Sequence, residues 1–170
     1  MGLQPVSTEL AATDAGDKDD DIRGKLRRDH LESLAELEAL RWTVGNAHER
    51  LQCLRRSWMT HALAEESVVY RALDGVQSAD SGTRADDRFA EHEWAVGIFD
   101  GLSQTRPGTP EWHARLDSLR DLMARHAEGE QPLMFARLGS QFDPETLLAM
   151  GRNFELARNK LTFLEDAKAA

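Results

Sequence analysis

The chain has 170 residues, and its 30 acidic against 21 basic side chains give a formal charge of −9. This length suits one compact domain, and so acidic a surface is repelled by phosphate backbones, so nucleic acid is not an expected partner. Leu occurs 22 times but Val and Ile together only eight times, and β-branched residues are those that sheets favour. The composition therefore predicts an all-α protein. Cys53, the single cysteine, excludes an internal disulfide and a cysteine-based zinc site, and it suits the reducing cytoplasm.

Residues 1–21 contain six acidic side chains and one lysine, without the basic start and apolar run of a secretory signal. We expect a disordered acidic tail that ends in Asp19-Asp20-Asp21, where the dipole of the first helix favours negative charge. No apolar run is long enough to span a bilayer, so a membrane is not an expected partner either.

Five segments carry apolar residues at helical spacing. The first begins at Ile22 and ends near Gly45-Asn46, and the second ends at Asp74-Gly75. A loop rich in Ser, Asp and Gly is predicted over 77–87, before a third segment whose apolar side includes Phe89 and Leu102.

The fourth segment opens with Thr109-Pro110, a helix start with Thr as the N-cap residue and Pro in the first turn. Its end is poorly defined, because Gly129 and Pro132 both weaken a helix interior. The fifth helix starts at Asp143. Four long helices with short links predict an antiparallel up-down four-helix bundle over residues 22–140. Residues 141–170 form a further helix that packs on the bundle or on a partner subunit.

The second and fourth helices align with each other at a constant offset of 65 residues. Between positions 48 and 73 this alignment contains nine identities, which include His61 with His126 and Glu65 with Glu130. The first and third helices match more loosely, at an offset of 62 that pairs His30 with His92. Two helical hairpins related by a pseudo-twofold axis bring equivalent polar residues together into one paired site.

Each of these four helices carries one histidine within its apolar stripe. Positions i and i+4 lie about 40° apart on a helix, so a histidine and a glutamate at that spacing point the same way. Burying two carboxylates and four imidazoles without partners is strongly unfavourable. Two divalent or trivalent cations remove this penalty if imidazoles bind each ion and the carboxylates bridge them. The predicted metal ligands are His30, His61, Glu65, His92, His126 and Glu130.

A simpler interpretation exists for each residue alone. An interior histidine can be a hydrogen-bonded core residue, and the two glutamates can pair with Arg55 or Arg120 or be half-exposed. The remaining histidines, His48 and His113, lie about 140° round the helix from the proposed ligands and are interpreted as bystanders. It is the whole set on a repeat that indicates metal, and imidazole with carboxylate suits iron, manganese or zinc.

Together these motifs resemble the hemerythrin-like family, also called HHE cation-binding domains. The matching elements are Asp29-His30, His61-x-x-x-Glu65-Glu66 with Tyr70 and Leu73, Glu91-His92, and His126-x-x-x-Glu130 with Phe135 and Leu138. The resemblance covers residues 22–140, and the chain from Asp143 onward resembles the extra helix that often follows. It implies a non-haem di-iron centre, bridged by oxo or hydroxo, with the four histidines as terminal ligands and Glu65 and Glu130 as bridges.

Two positions depart from the family's pattern. Oxygen-carrying hemerythrins are similar but have a His-x-x-x-His pair on the third helix, whereas His92 has Arg88 and Val96 at those spacings. Simple reversible oxygen carriage is therefore not expected. On the second helix a further acid, Glu66, directly follows Glu65. At the equivalent position of the fourth helix the chain has Gln131 instead, and we expect Gln131 to face outward.

Counting ligands leaves one open position on each metal beside apolar side chains, which suits O2, NO or peroxide. We therefore favour a protein that binds or senses such a ligand, with slow or incidental turnover. The alternative is a di-iron enzyme that detoxifies peroxide, as a catalase does, or reduces NO, with Tyr70 as a proton donor or redox partner. A third possibility is iron sensing or storage. The sequence is compatible with a monomer or a homodimer.

Overall fold

The computed structural model describes residues 20–43, 45–74 and 85–169, except for the side chains of 85–89, 130, 131, 165, 166, 168 and 169. The predicted acidic tail lies outside the described residues as far as residue 19, and so does the predicted loop as far as residue 84. Residues 85–87, predicted as the end of that loop, are helical instead. Within the described residues there is no β-strand, which confirms the all-α prediction.

The chain forms long helices joined by short connections. A single π-helical turn, Glu66–Tyr70, continues the second helix and leads into the third, which is short. The helices are α1 (Ile22–Arg41), α2 (Ala47–Glu65), α3 (Arg71–Asp74), α4 (Ala85–Ser103), α5 (Pro110–Gln141) and α6 (Pro144–Ala169).

Acidic and hydroxyl side chains begin three of these helices. Asp21 caps α1 and accepts from the backbone amides of Arg23 and Gly24 at 2.8 and 3.2 Å, as its place at the end of the acidic run predicts. Thr109 accepts from the amide of Trp112, and Asp143 accepts from the amide of Thr146 at 2.7 Å. The helix starts were therefore readable from the sequence.

The end of α5 corrects the sequence interpretation. Pro132 lies inside this helix, which continues to Gln141 rather than weakening at Gly129. Proline removes one backbone hydrogen bond, but the following turns bury Met134 and Leu138 in the core. Their burial compensates for the lost bond, because packing of an apolar face stabilises a helix more than propensity does.

The core consists of two apolar clusters. One is built around Leu40, Leu51, Phe99, Trp112 and Leu119, and the other around Ile22, Leu26, Val69, Leu138 and Phe154. Along α1, α2 and α5, the predicted metal-binding histidine stands between residues of the first cluster and residues of the second. The polar side chains therefore form a layer between two apolar layers.

Helix α6 packs against α1 and α2. Gly151 lets it approach the start of α1 closely, since a β-carbon there would lie 2.8 Å from the backbone oxygen of Asp20. Phe154 is fully buried, whereas Phe163, two turns further on, is 72 % exposed. The first half of α6 is thus part of the same folded unit as α1 and α2. No helix in the described part of the chain has the length and apolar character needed to cross a membrane.

Candidate metal centre

Four buried side chains from three helices converge in the polar layer. His30 of α1, His61 and Glu65 of α2, and His126 of α5 each place one ligand atom within 4.8 Å of the others. The Nε2 atoms of His30 and His61 are 3.1 Å apart. Nitrogen and oxygen ligands from several helices at this separation are what a transition-metal site requires.

Glu65 has the central place in this cluster and is fully buried. Its Oε2 lies 3.7 Å from Nε2 of His61, 3.5 Å from Nε2 of His92 and 3.8 Å from Nε2 of His126. Among the described residues, Oε1 of Glu65 and Nε2 of His92 have no hydrogen-bond partner. A buried polar atom without a hydrogen-bond partner destabilises the folded state. A cation bound by these two atoms removes that penalty. The donor set therefore fits a metal.

The structure brings together five of the six residues predicted as ligands. Glu130 lies in α5 one turn after His126, as its spacing predicts, but its side chain is outside the described residues. Its proposed role therefore stays a prediction. His48 donates through Nε2 to the carbonyl oxygen of Thr105 at 3.1 Å, and within the described contacts neither it nor His113 meets the cluster.

Three of the histidines have a carboxylate on the side of the ring that faces away from Glu65. Nδ1 of His61 lies 3.0 Å from Asp29, Nδ1 of His92 lies 2.8 Å from Glu66, and Nδ1 of His126 lies 3.0 Å from Glu91. The three oxygens are Asp29 Oδ2, Glu66 Oε1 and Glu91 Oε2. Each Nδ1–H donates to its carboxylate, which holds the ring so that Nε2 faces the cluster.

Sequence reasoning missed these orienting carboxylates. In the sequence Asp29 and Glu91 stand out only because each precedes a histidine. In the structure each binds a histidine of the next long helix: Asp29 binds His61 and Glu91 binds His126. The carboxylate of Glu66, which directly follows Glu65, binds His92 on α4, a role that the sequence pattern did not assign to it. The side chain of Gln131, its repeat counterpart, is outside the described residues. The available signal was an acid directly before His30, an acid directly before His92 and a second acid directly after Glu65.

The π-helical turn places Tyr70 beside the cluster. An α-helix separates residues five apart by about 140°. In a π-helix such residues are joined by hydrogen bonds, and here the amide of Arg71 donates to the carbonyl oxygen of Glu66. The Tyr70 hydroxyl consequently donates to Oε2 of Glu65 at 3.3 Å, and its ring stacks parallel to His92 at a centroid distance of 6.1 Å.

Aromatic rings close the cluster on two sides. Trp58, one turn before His61, lies 5.7, 5.8 and 5.4 Å from the rings of His61, His92 and His126. Phe154 of α6 meets the ring of His61 edge-on at 5.6 Å. These walls keep water away, which strengthens electrostatic interactions inside the cluster.

The charges within the cluster follow from burial and from the neighbouring groups. Burial, with help from the other imidazoles, lowers the pKa of His30 well below its ordinary value, and burial lowers the pKa of His126 as well. Burial opposes ionisation of Glu65, but the surrounding histidines outweigh it and the pKa of Glu65 is lowered. For His92, burial is outweighed by the carboxylates of Glu65 and Glu66, which raise its pKa to about 9. Without metal, the cluster therefore contains a His92 imidazolium beside a Glu65 carboxylate.

The comparisons with known proteins agree with this geometry. A family model, the hemerythrin HHE cation-binding domain, matches residues 21–138 and so includes every predicted ligand. No curated protein and no solved structure matches the chain. The chain belongs to the family of hemerythrin HHE cation-binding domains.

Proposed function

We propose that the cluster holds two iron ions and that the protein binds or senses a small ligand there: O2, NO or peroxide. The observation that carries this proposal is Glu65, a fully buried carboxylate that has three imidazole Nε2 atoms within 3.8 Å of one oxygen. A carboxylate among imidazoles from several helices is suited to bridging two ions. Iron bound there supplies Lewis acidity, redox chemistry and open coordination positions.

The proposed ligand set uses the repeat. His30, His61, His92 and His126 are the terminal ligands, Glu65 is one bridge, and Glu130 is the other bridge by its equivalence to Glu65. An oxo or hydroxo group would complete the bridge between two such ions, as the resemblance to the family implies. Manganese and zinc accept the same donors. Metal analysis of the purified protein therefore decides the identity of the ions.

Helix packing supports an antiparallel up-down four-helix bundle. The contacts run from α1 to α2, from α2 to α4, from α4 to α5 and from α5 back to α1, which closes a ring of four helices. A polar layer at the centre of such a ring is where bundle proteins build metal sites. We propose that residues 22–140 form this bundle and that α6 completes the domain over residues 141–170.

The surroundings of the cluster favour a small neutral ligand. The two apolar clusters lie on either side, and Trp58 and Phe154 stand directly against the histidine rings. In the described part of these walls the Trp58 indole N–H and the Tyr70 hydroxyl are the polar groups nearest the cluster, which is too few for a large polar substrate, whereas a diatomic molecule or peroxide needs little beyond the metal. In this role the residues orient the metal and exclude water, and turnover is slow or incidental.

The direct test is metal analysis with a visible spectrum after anaerobic reconstitution with ferrous iron. We expect two irons per chain, falling below one in the double variant His61→Ala, Glu130→Ala. His113→Ala is the matched control, because His113 lies on α5 outside the cluster. Fewer than one metal in the reconstituted wild type, or full occupancy in the double variant, contradicts the proposal.

The second candidate is an enzyme that detoxifies peroxide, as a catalase does, or reduces NO. The contact between Tyr70 and Glu65 favours it, because the phenol hydroxyl can hold a proton 3.3 Å from the proposed bridging carboxylate. Stopped-flow measurement of peroxide and NO consumption by the iron-loaded protein separates this activity from binding alone. The absence of a catalytic rate for either compound rules out the enzyme.

Iron sensing or storage is the third candidate, and it predicts a stability that depends on metal. An ion that binds the folded state alone raises stability by about 2.7 kcal/mol at a hundredfold excess over the dissociation constant. Removing metal with a chelator is therefore expected to lower the melting temperature. An unchanged melting temperature contradicts this role.

The location and oligomeric state are further proposals. We propose a cytoplasmic location, which is compatible with the single cysteine: Cys53 is exposed and free, as thiols are in a reducing compartment. The protein is a monomer or a homodimer in which the exposed second half of α6 meets its partner. Sedimentation of the full chain and of a chain truncated after Ser140 separates these cases: a dimer that survives truncation contradicts the role of α6.

A further inference from the structure

A helix outside the family match reaches the metal centre through one carboxylate. Asp29 uses its two oxygens for different partners: Oδ2 accepts from Nδ1 of His61 at 3.0 Å, and Oδ1 accepts from Nη1 of Arg158 at 2.6 Å. Arg158 lies in α6, beyond residue 138, where the match to the family ends. A three-residue chain therefore connects α6 to a proposed metal ligand.

The burial of these groups explains why the connection matters. Asp29 is 8 % exposed, and a buried carboxylate needs hydrogen bonds and a positive partner. Arg158 satisfies one oxygen and supplies the charge, so the other oxygen stays directed at His61. A charge-assisted contact of this length restricts both side chains.

Arg158 and Phe154 act on the same imidazole from one face of α6. They are four residues apart, and the guanidinium carbon lies 5.9 Å from the centre of the Phe154 ring. That ring in turn meets His61 edge-on at 5.6 Å. Helix α6 therefore contributes to the orientation of His61 in two ways: the Phe154 ring contacts the imidazole directly, and Arg158 binds the Asp29 carboxylate that accepts from it.

We propose that Arg158 is a positioning residue for metal binding. Acting through Asp29, it holds the His61 ring with Nε2 toward the cluster, and the match to the family does not include it. This inference rests on the proposed function, namely that the cluster binds metal. In the described contacts Arg158 touches none of the proposed ligands, and the route to His61 that this proposal uses is the Asp29 carboxylate.

A second ion pair provides the control for helix docking. Lys25 of α1 binds Glu155 of α6, three residues before Arg158, and this pair also ties α6 to α1. In the described contacts it meets none of the histidines. If α6 only needs to be docked, losing either pair weakens metal binding equally. If Arg158 orients His61, only the Arg158 pair affects the metal.

The experiment measures the dissociation constant for cobalt(II) on the full chain, by competition with a coloured chelator. We expect Asp29→Asn to weaken binding about 10- to 100-fold and Arg158→Ala about tenfold, the range typical for groups that orient metal ligands. Arg158→Lys, which keeps the charge, is expected to stay within about threefold of wild type, since a single guanidinium nitrogen, Nη1, donates to Asp29 in the described contacts. Glu155→Gln is expected to bind cobalt as wild type does. The double variant Asp29→Asn, Arg158→Ala should bind no more weakly than Asp29→Asn alone.

Several results overturn the proposal. The first is that Glu155→Gln and Arg158→Ala weaken cobalt binding equally. The second is that the effect of Arg158→Ala adds to the effect of Asp29→Asn in the double variant. Both outcomes mean that Arg158 matters only for docking α6. Wild-type affinity in Arg158→Ala also overturns it. If Arg158→Ala does not fold, as judged by circular dichroism, Arg158→Gln replaces it, because it keeps the bulk of the side chain and removes the charge. Arg158→Gln is then expected to bind cobalt about tenfold more weakly than Glu155→Gln, and equal affinity of these two variants overturns the proposal. If the wild-type protein binds no cobalt, the proposed function fails together with this inference. If the wild type binds cobalt and the variants behave as just described, only the role of Arg158 fails.

Discussion

The Tyr70 hydroxyl donates a hydrogen bond to Oε2 of Glu65 at 3.3 Å, the same oxygen that the imidazoles of His61, His92 and His126 face. The repeat counterpart of Tyr70 is Phe135, a buried ring without a hydroxyl. Only one of the two proposed bridging carboxylates can therefore receive this bond. Helices with nearly the same pattern of ligands thus provide different surroundings for their glutamates.

Replacing Tyr70 with Phe tests the role of this hydroxyl. We expect unchanged metal content, since the hydroxyl orients a ligand without being one, and a loss of about 1 kcal/mol in the free energy of unfolding. In the enzymatic alternative, peroxide consumption falls about 100-fold, the lower end of the range for a lost proton donor. Urea unfolding and stopped-flow absorbance measure the two effects. An unchanged rate in an active protein assigns Tyr70 to packing.

Glu65→Gln tests the central carboxylate. The substitution keeps the shape of the side chain but removes the negative charge that faces the buried His92 imidazolium. Breaking a buried ion pair from one side is strongly unfavourable, so we expect the metal-free protein to lose about 3 kcal/mol of stability at neutral pH. Metal content should fall below two per chain. Glu93→Gln, an exposed acid next to His92, is the matched control and should change neither quantity.

Metal binding should release a proton. The carboxylates of Glu65 and Glu66 raise the pKa of His92 to about 9 in the metal-free protein, so its imidazole is protonated at neutral pH. A metal binds only the neutral ring, and apparent affinity should rise with pH until about 9 and then level. Calorimetric titration in buffers of different ionisation enthalpy counts the protons released. A count unaffected by His92→Ala contradicts this assignment.

Fluorescence of Trp58 should report metal occupancy. Its indole lies within 5.8 Å of the rings of His61, His92 and His126, whereas Trp94 is 62 % exposed on α4. Iron or cobalt held by these histidines is expected to quench Trp58 strongly. Most of the metal-dependent quenching should therefore disappear in Trp58→Phe and persist in Trp94→Phe. The reverse pattern places the metal elsewhere.

The N-cap of α6 gives a second dependence on pH. The amide of Thr146 donates to Asp143 and lowers the pKa of that carboxylate. The cap therefore stabilises the fold above the unfolded pKa of Asp143, and this contribution is lost as pH falls through the folded value. Thermal melts of Asp143→Ala should show a lower melting temperature at neutral pH and converge with wild type in acid. A constant difference across pH contradicts a role for the charge.

The pairing of residues within one helix was predictable, because helical geometry alone fixes it. His61 and Glu65 share a face whatever surrounds them. The N-cap residues Asp21 and Thr109 were predictable for the same reason. Histidine within an apolar stripe also indicated which way each ring points, since a stripe faces the core.

Contacts between helices were not predictable from local pattern. The pairing of Asp29 with His61 depends on how α1 and α2 rotate and tilt against each other, and Arg158 stands 129 positions from Asp29 in the chain. The continuation of α5 through Pro132 likewise depends on the packing of later turns, which local propensity does not contain. Such contacts depend on residues far apart in the chain, whereas the spacing of His61 and Glu65 within one helix is visible in the sequence itself.

The π-helical turn at Glu66–Tyr70 has a consequence for the symmetry of the centre. The sequences of α2 and α5 align without any insertion, yet α5 keeps α-helical hydrogen bonding to Gln141 while α2 changes pitch directly after Glu65. The two helices consequently fall out of angular phase just beyond their glutamates. Two ions bound between them would be spectroscopically inequivalent, and copying residues 131–135 into positions 66–70 would remove this one source of the inequivalence while keeping every proposed ligand.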